Sequence, residues 1–410
     1  MKHNILVVLP CVPYPLNSGG NQGVYHMVKY LRDHLNVFVW FPIFHKKQVN
    51  QALKFKSEIE SDNCKVLYTV HSVGFNKITS RGIHRIFDKF YLCKDPQLKY
   101  ESRLWGQDKS YYYDLRIVEE INKIIIEKNI ELVEIEFMPV IKLVNAIPND
   151  IKKLFIHHEL QFVKFDRFQN SLAQDPYNSF LLKLRKQEEI SSLNEYDNVV
   201  TLTETDKEIL EKNGVTRPIK VSPLFIPADK GYPEIKISYN SLVFIGGAKH
   251  LPNAEGLDWY LKKVHPIVVK SVPDYRLYVV GSGWNAMSSN SNIIYQGFVE
   301  DLSSFLPGKL MIVPLMTGSG MRMKILESVN NSIPFVSTSV GAEGMEFSDG
   351  ENCFIKDTPE EFANSILRLW NDEVLQKSFI ILARKHYEAT FSRDALGEKR
   401  LKIIKQMLEK

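Results

Sequence analysis

The sequence has few cysteines, no long hydrophobic run and little net charge. Its four cysteines in 410 residues include no C-x-x-C pair, so neither a disulfide framework nor a zinc site is predicted, and a reducing compartment is favoured. No apolar run approaches the roughly 18 residues that a membrane span needs. The 52 basic residues nearly balance 48 acidic ones, for a formal net charge of +4. This balance argues against a dedicated nucleic-acid binder, which usually carries a strongly basic domain.

The composition is that of an ordinary globular protein. Apolar residues make up 44% and charged residues 24%, which excludes disorder or a fibre as the main description. The apolar N-terminal run at residues 5–9 is too short for a signal peptide, and Pro10 and Pro13 follow it closely. We therefore interpret it as the buried first strand of a parallel sheet and expect a cytoplasmic protein.

Short apolar runs alternate with helical patterns along almost the whole chain. The strand at residues 5–9 is followed by a helix that opens at Gly19-Gly20 and by a strand at residues 37–41. After a proline-containing stretch at residues 223–240, the alternation restarts with a strand at residues 242–245. This βαβ signature predicts an α/β protein with two Rossmann-like, doubly wound parallel sheets.

A basic, aromatic segment covers residues 77–103. It has seven Lys or Arg residues against three Asp or Glu. The simpler interpretation is a solvated helix pair whose aromatic residues point inward. The alternative is a peripheral contact with anionic lipid, in which basic residues and apolar anchors act together.

The stretch at residues 310–327 has the pattern of a ligand-binding turn. An apolar strand ends at Pro314, a glycine-bearing turn follows, and a helix begins near Met321. Ligands of open α/β sheets lie outside the carboxyl ends of strands, and a helix N-terminus suits a phosphate. Arg322 and Lys324 oppose the helix dipole, which an anionic ligand would explain. An ordinary strand-to-helix connection with a solvated basic turn is the alternative.

Other residues at strand ends are candidates for the same site. Gly246-Gly247 closes a strand shortly before Lys249, and His157-His158 follows another strand. Adjacent histidines on an extended segment diverge, so they are poor metal ligands. The sequence contains no D-x-D pair that would hold a divalent ion on a nucleotide sugar. We therefore predict a metal-free site built from positive charge.

From residue 242 to about residue 391, the sequence resembles the donor-binding domain of retaining GT-B glycosyltransferases, in particular glycosyltransferase family 4. The resemblance is carried by segments in the family's order and spacing, at residues 244–247 with 252–253, 277–283, 297–302, 318–327, and 334–338 with 341–344. The first half resembles the family's acceptor domain more loosely. The resemblance implies a GT-B fold with an acceptor domain at 1–225, a donor domain at 226–392, and a helix at 393–410 that packs back on the first domain.

The resemblance also implies roles for residues of the turn and its helix. Glu327 matches the second glutamate of the family's E-x7-E motif, which binds the ribose of the donor. Ser319 takes the position of the first glutamate, which contacts the donor sugar, and this departure puts those contacts in doubt. Lys324 is similar to the residues that meet the diphosphate. Backbone N–H groups of residues 320–322 (Gly320, Met321 and Arg322) are implied to bind the same group.

Residues outside this turn complete the implied site. Lys249 is implied to meet the diphosphate beside Gly246 and Gly247, and Phe298-Val299 to contact the base. His158, with His157 as its competitor, resembles the strand-end histidine that contacts the donor sugar. The loop at Gly19 and Gly20 is expected to face the phosphates or the acceptor.

The implied activity is retaining, metal-independent and cofactor-free hexosyl transfer. The donor would be a nucleotide-diphosphate sugar and the acceptor a glycan or lipid-linked glycan, in the biosynthesis of surface polysaccharide or glycoconjugates. The protein would be cytoplasmic, with peripheral contact at the inner face of the membrane as a further expectation, and it would bind no nucleic acid. A GT-B nucleotide-sugar epimerase or phosphorylase and a non-catalytic GT-B partner subunit stay open as alternatives. A dehydrogenase is disfavoured, because no strand is followed by G-x-G-x-x-G with an acidic residue about 20 positions later.

Overall fold

The fold comes from a computed structural model, which describes residues 2–16, 18–70, 115–169, 176–227, 231–236, 241–284 and 291–409. The basic segment at residues 77–103 lies outside the described residues. Within the described ranges the chain alternates strands and helices, as the sequence predicts.

The first sheet is built from the strands of the N-terminal half. They are β1 Asn4–Val8, β2 Asn36–Ile43, β3 Cys64–Val70, β4 Leu132–Glu136, β5 Lys152–His157, β6 Asn198–Thr201 and β7 Ile219–Val221. Their order in the sheet is β3-β2-β1-β4-β5-β6-β7. Strand β1 pairs in parallel with both β2 and β4. Its apolar run is completely buried after the first residue, as a central strand of a doubly wound sheet requires.

In the part of the chain that the structure describes, the second sheet has six parallel strands. They are β8 Ser241–Ile245, β9 Arg276–Val280, β10 Ile293–Gly297, β11 Leu310–Val313, β12 Phe335–Ser337 and β13 Phe354–Ile355, in the order β10-β9-β8-β11-β12-β13. The chain runs outward from β8 to one edge and returns at β11 to build the other half. The strand order therefore reverses between β8 and β11, and such a reversal opens a crevice at the carboxyl ends.

Helices connect these strands. Among the described residues of the first half they are α1 Gly19–Leu31, α2 Lys46–Ile59, α3 Leu115–Glu127, α4 Gln161–Gln169, α5 Pro176–Leu193 and α6 Glu204–Lys212, with a 3₁₀ helix at Met138–Ala146. In the second half they are α7 Leu251–Trp259, α8 His265–Ser271, α9 Leu302–Phe305, α10 Met323–Asn330, α11 Ser339–Ala342, α12 Pro359–Asn371, α13 Glu373–Thr390 and α14 Arg393–Leu408.

The helical path between β8 and β9 is interrupted. A π-helical turn at Tyr260–Val264 separates α7 from α8, and the amide of His265 donates to the carbonyl of Tyr260. The next residue, Pro266, has no amide hydrogen and cannot continue an α-helical ladder. The wider turn thus accommodates the proline without ending the helical path.

The chain forms two compact units. One consists of Met1–Pro15 and Arg32–Phe155, and the other of Leu16–Leu31 and Ile156–Lys410. The predicted doubly wound parallel architecture is confirmed, whereas the predicted domain boundaries stay predictions. The larger unit contains α1, the second sheet, and every candidate site residue that the sequence points to.

The C-terminal helix α14 lies against α1. Gly397 packs directly on the ring of Tyr30, where a Cβ would lie 2.6 Å from the ring carbons. The buried guanidinium of Arg400 donates to the hydroxyl of Ser222 over 3.1 Å. The first contact joins α14 to α1, and the second joins α14 to the residue after β7.

Candidate functional site

The candidate site lies at the carboxyl ends of β8 and β11, which are neighbours in the second sheet. Gly246 and Gly247 follow β8 directly, and the turn at residues 314–322 follows β11 and leads into α10. Because the strand order reverses between these two strands, their loops face the crevice in which ligands of such sheets bind. The larger unit therefore carries its sequence motifs at the expected position.

Lys324 lies in the first turn of α10, and its ammonium contacts two groups. Nζ donates to Oδ1 of Asn253 over 2.8 Å and lies 5.1 Å from the ring centre of Phe244. Burial, with the charge of Arg322 as a second cause, lowers the pKa of Lys324 to about 7. A desolvated cation at a helix N-terminus gains strongly from an anionic ligand, which restores the ammonium form.

Glu327 lies three residues further along the same helix. Its Oε1 accepts a hydrogen bond of 2.9 Å from the side-chain amide of Gln22 on α1, and Asn331 donates to Oε2 over 3.5 Å. Burial raises the pKa of Glu327, and the bonds from Gln22 and Asn331 oppose that rise. Residues three apart lie on one helix face, so Lys324 and Glu327 present a cation and a carboxylate together.

The turn before α10 packs closely on the segment after β5. Gly320 has a φ of +76°, and a Cβ there would lie 2.2 Å from the carbonyl oxygen of His158. The buried hydroxyl of Ser319 accepts a 2.8 Å hydrogen bond from the amide of Leu160. Residue 320 must therefore be glycine on two counts, left-handed backbone and close approach. Ser319 is committed to a backbone contact.

Arg322 uses its guanidinium on its own turn. The side chain is 6% exposed, and Nη1 donates to the carbonyl oxygens of Ser319 and, over 2.6 Å, Gly320. Nη2 lies 3.9 Å from the carboxylate of Glu343. The buried cation thus braces the turn and adds positive potential behind it.

The two predicted histidines have different surroundings. His157 is buried, and its Nε2 lies 2.8 Å from Oε1 of Glu189. Glu189 also accepts from the amides of Gln161 and Phe162 at the start of α4, each over 3.1 Å. His158 is half-buried beside the glycine turn. His158 thus lies beside the glycine turn through its backbone carbonyl, and His157 is part of a buried network. Which of the two contacts a donor sugar stays a prediction.

The helix α1 begins beside the same turn. Gly19 packs on Met323, since a Cβ on Gly19 would lie 2.5 Å from Cγ of that methionine. The N-termini of α1 and α10 thus meet, with Gly20 as the second residue of α1. Two helix N-termini at one place favour an anion there.

The glycines after β8 also allow a close approach. A Cβ on Gly246 would lie 2.4 Å from Nδ2 of Asn253, and the carbonyl of Gly246 accepts a 2.7 Å bond from the indole of Trp284. Asn253 Nδ2 donates to the carbonyl of Gly247 over 3.1 Å. Lys249, two residues after Gly247 in the sequence, has an exposed side chain.

Phe298 and Val299 directly follow β10, the edge strand of the second sheet. Phe298 is 52% exposed, which is unusual for a large aromatic side chain and leaves a ring face available for stacking. Met321 is half-buried in the glycine turn.

Several site residues escaped the sequence reasoning as individual candidates. Gln22 contacts Glu327, and Asn253 contacts Lys324. Glu159 bonds to Lys164 over 2.8 Å and lies 3.7 Å from His250. Burial alone would raise the pKa of Glu159, but His250 and Lys164 lower it to about 2. The closeness of Asn253 to Gly246-Gly247 in the sequence was the available signal. No local signal pairs Gln22 with Glu327.

Within the described ranges, no group of three or more His, Cys, Asp or Glu side chains could hold a metal ion. Of the helices in that part of the chain, none combines the length and apolar character needed to cross a membrane. The metal-independent reaction and the peripheral membrane contact stay predictions.

Comparison with known proteins relates part of this chain to a family model. Residues 239–372 match the family model for Glycosyl transferases group 1. A Klebsiella pneumoniae relative, an uncharacterized 44.6 kDa protein in the cps region, is 26% identical over 380 residues, covering 88% of this chain and 90% of the relative. The matched domain includes both loops and α10.

The fold is that of solved GT-B glycosyltransferases. Sucrose-phosphate synthase from Thermosynechococcus elongatus is similar with a TM-score of 0.73 at 12% identity, over 100% of both chains. TarM from S. aureus, solved as a variant in complex with fondaparinux, alpha-GlcNAc-glycerol and UDP, has a TM-score of 0.69 at 12% identity, again over 100% of both chains. The predicted GT-B fold is confirmed, as is the resemblance to glycosyl transferases group 1 over residues 239–372. The assignment to family 4 and the retaining course stay predictions.

Proposed function

We propose that this chain is a retaining glycosyltransferase of the family 4 type that transfers a hexose from a nucleotide-diphosphate sugar. The observation that carries the proposal is the joint placement of Lys324 and Glu327 on one face of α10, beside the glycine turn. A half-buried cation suits the diphosphate, and a carboxylate three residues away suits the ribose hydroxyls of the same nucleotide.

The proposed chemistry follows from charge development. Negative charge builds on the departing diphosphate while the sugar becomes oxocarbenium-like, and preorganised positive groups lower that barrier. Lys324, the N-terminus of α10 and exposed Lys249 are the proposed groups. In the retaining course, the acceptor attacks on the leaving-group face and a β-phosphate oxygen takes its proton. This chain then needs neither a nucleophilic side chain nor a metal.

The acceptor is proposed to be a glycan or lipid-linked glycan of a surface polysaccharide. The K. pneumoniae relative in the cps region supports this, as does the glycan-related ligand set of TarM. Phe298 is proposed to stack on the base and His158 to contact the donor sugar. A cytoplasmic location, with peripheral membrane contact through residues 77–103, completes the proposal.

A thermal-shift screen of UDP, GDP, TDP and ADP tests the donor site. At least one diphosphate should raise the melting temperature, because a ligand of the native state stabilises it. The shift should be lost in Lys324→Met and retained in Lys262→Met, which changes an exposed lysine paired with Asp258. If none of the four binds the wild type, the proposal fails.

A non-catalytic GT-B subunit is the second candidate. It is favoured by Ser319, which stands where a sugar-binding carboxylate is expected and is bonded to Leu160 instead. Incubation of the nucleotide sugar with and without acceptor glycan separates the candidates. Acceptor-dependent release of nucleoside diphosphate supports the transferase, turnover without acceptor an epimerase or hydrolase, and binding without turnover the subunit.

A further inference from the structure

Asn253 joins the two loops of the candidate site through a single buried amide. It lies in the first turn of α7 and is 7% exposed. Its Oδ1 accepts from Nζ of Lys324 over 2.8 Å, and its Nδ2 donates to the carbonyl of Gly247 over 3.1 Å. Both ends of the amide are therefore in use, and the bond to Gly247 determines which end faces the ammonium.

The amide is also held by packing. Gly246 leaves room for it, because a Cβ there would lie 2.4 Å from Nδ2. The indole of Trp284 fixes Gly246 from another direction through its carbonyl. Rotation of the Asn253 side chain would break the bond to Gly247 and move the amide away from its close contact with Gly246. Asn253 is thus a rigid acceptor for Lys324.

The amide's lack of charge matters as much as its position. The ammonium of Lys324 lies over the ring of Phe244, and Arg322 is the charged neighbour that further disfavours it. Glu327 on the same helix accepts from Gln22. A neutral acceptor at residue 253 orients one N–H bond and leaves the positive charge for an anion, whereas a carboxylate there would form an ion pair and compensate it.

We propose that Asn253 is the positioning residue for Lys324, which aims the ammonium at the donor diphosphate and keeps its charge uncompensated. The inference rests on the proposed function. It adds a residue that touches no substrate and acts through the lysine. It also explains why a buried amide side chain stands at this place.

The test is titration calorimetry of Asn253→Asp from about pH 6.5 to about pH 9, with whichever of UDP, GDP, TDP and ADP the wild type binds most tightly. Wild-type affinity should fall as pH rises through about 7, because Lys324 loses its proton there. In N253D the ion pair should move that fall upward by about one pH unit or more. Affinity at the acidic end should drop roughly tenfold, since the carboxylate competes with the diphosphate.

A purely structural role would weaken binding without moving the pH midpoint, so an unchanged midpoint in N253D overturns the proposal. Asn371→Asp, the same substitution at the exposed end of α12, should match the wild type. Lys324→Met should bind the diphosphate weakly at both ends of this pH range, as expected if the proton that binding requires is on Lys324.

Asn253→Ser covers the case in which N253D does not fold. Serine is too short to reach Nζ of Lys324, so affinity should fall about tenfold at neutral pH. Wild-type affinity in a folded N253S would overturn the proposal. Absence of diphosphate binding by the wild type would instead refute the proposed function, so the two failures are distinguishable.

Discussion

The side-chain amide of Gln22 donates a 2.9 Å hydrogen bond to the carboxylate of Glu327, which lies 305 residues further along the chain. The same amide nitrogen donates to the carbonyl of Leu16 over 3.2 Å. Gln22 therefore ties the carboxylate proposed to bind ribose to the start of α1, where Gly19 packs on Met323.

Gln22→Ala should weaken binding of the preferred nucleoside diphosphate about tenfold. The carboxylate of Glu327 would lose the donor that orients it, and hydrogen bonds to charged groups contribute about 1.5–3 kcal/mol. Titration calorimetry measures the change. Gln48→Ala is the matched control, since Gln48 caps α2 by accepting from the amides of Phe44 and His45. Equal effects of the two variants would contradict the assigned role.

Glu327→Gln should stabilise the ligand-free protein at neutral and alkaline pH while weakening nucleotide binding. Burial raises the pKa of Glu327, so the unfolded chain loses this proton at lower pH than the folded one. Ionisation therefore disfavours the folded state, and stability falls as pH rises towards the folded pKa. The melting temperature of E327Q should exceed that of the wild type most near pH 8, and the difference should vanish as the pH falls to about 4. An excess that grows on acidification would refute this reasoning.

Gly320→Ala should destabilise the protein by roughly 2 kcal/mol more than Gly350→Ala. Both glycines have nearly the same φ, +76° and +77°, so the backbone cost of alanine is similar at the two positions. Only at Gly320 would the new Cβ meet a backbone oxygen, that of His158, at 2.2 Å; nothing lies within 4 Å at Gly350. Urea unfolding gives the two free energies. Equal losses of unfolding free energy in the two variants would contradict the prediction, because they would mean that the segment after β5 moves to accept the new Cβ at little cost.

Glu189→Ala should cost about 3 kcal/mol or more of unfolding free energy. The substitution removes the partner of buried His157 and the acceptor of two amides at the start of α4. Glu188→Ala changes the adjacent, exposed glutamate and should stay within about 0.5 kcal/mol of the wild type. A loss below about 1 kcal/mol for E189A would mean that water replaces the lost contacts.

The sequence predicted the long, strongly patterned elements well. The runs that became β1, β8 and β11 are apolar throughout because central parallel strands are buried on both faces. Strands β10 and β13 were not predicted. β10 is only partly buried, and β13 has two residues, so neither leaves a local hydrophobic pattern.

The sequence alone determined the order of the motifs, the glycine turn, and the cation and carboxylate on one helix, because these depend on spacing within a few residues. Only the tertiary structure decided which groups meet them. It paired Lys324 with Asn253 and Glu327 with Gln22, and it separated His158 at the turn from His157 in the buried network. Such pairings join residues distant in sequence. They depend on how strands and helices pack, which no local pattern specifies.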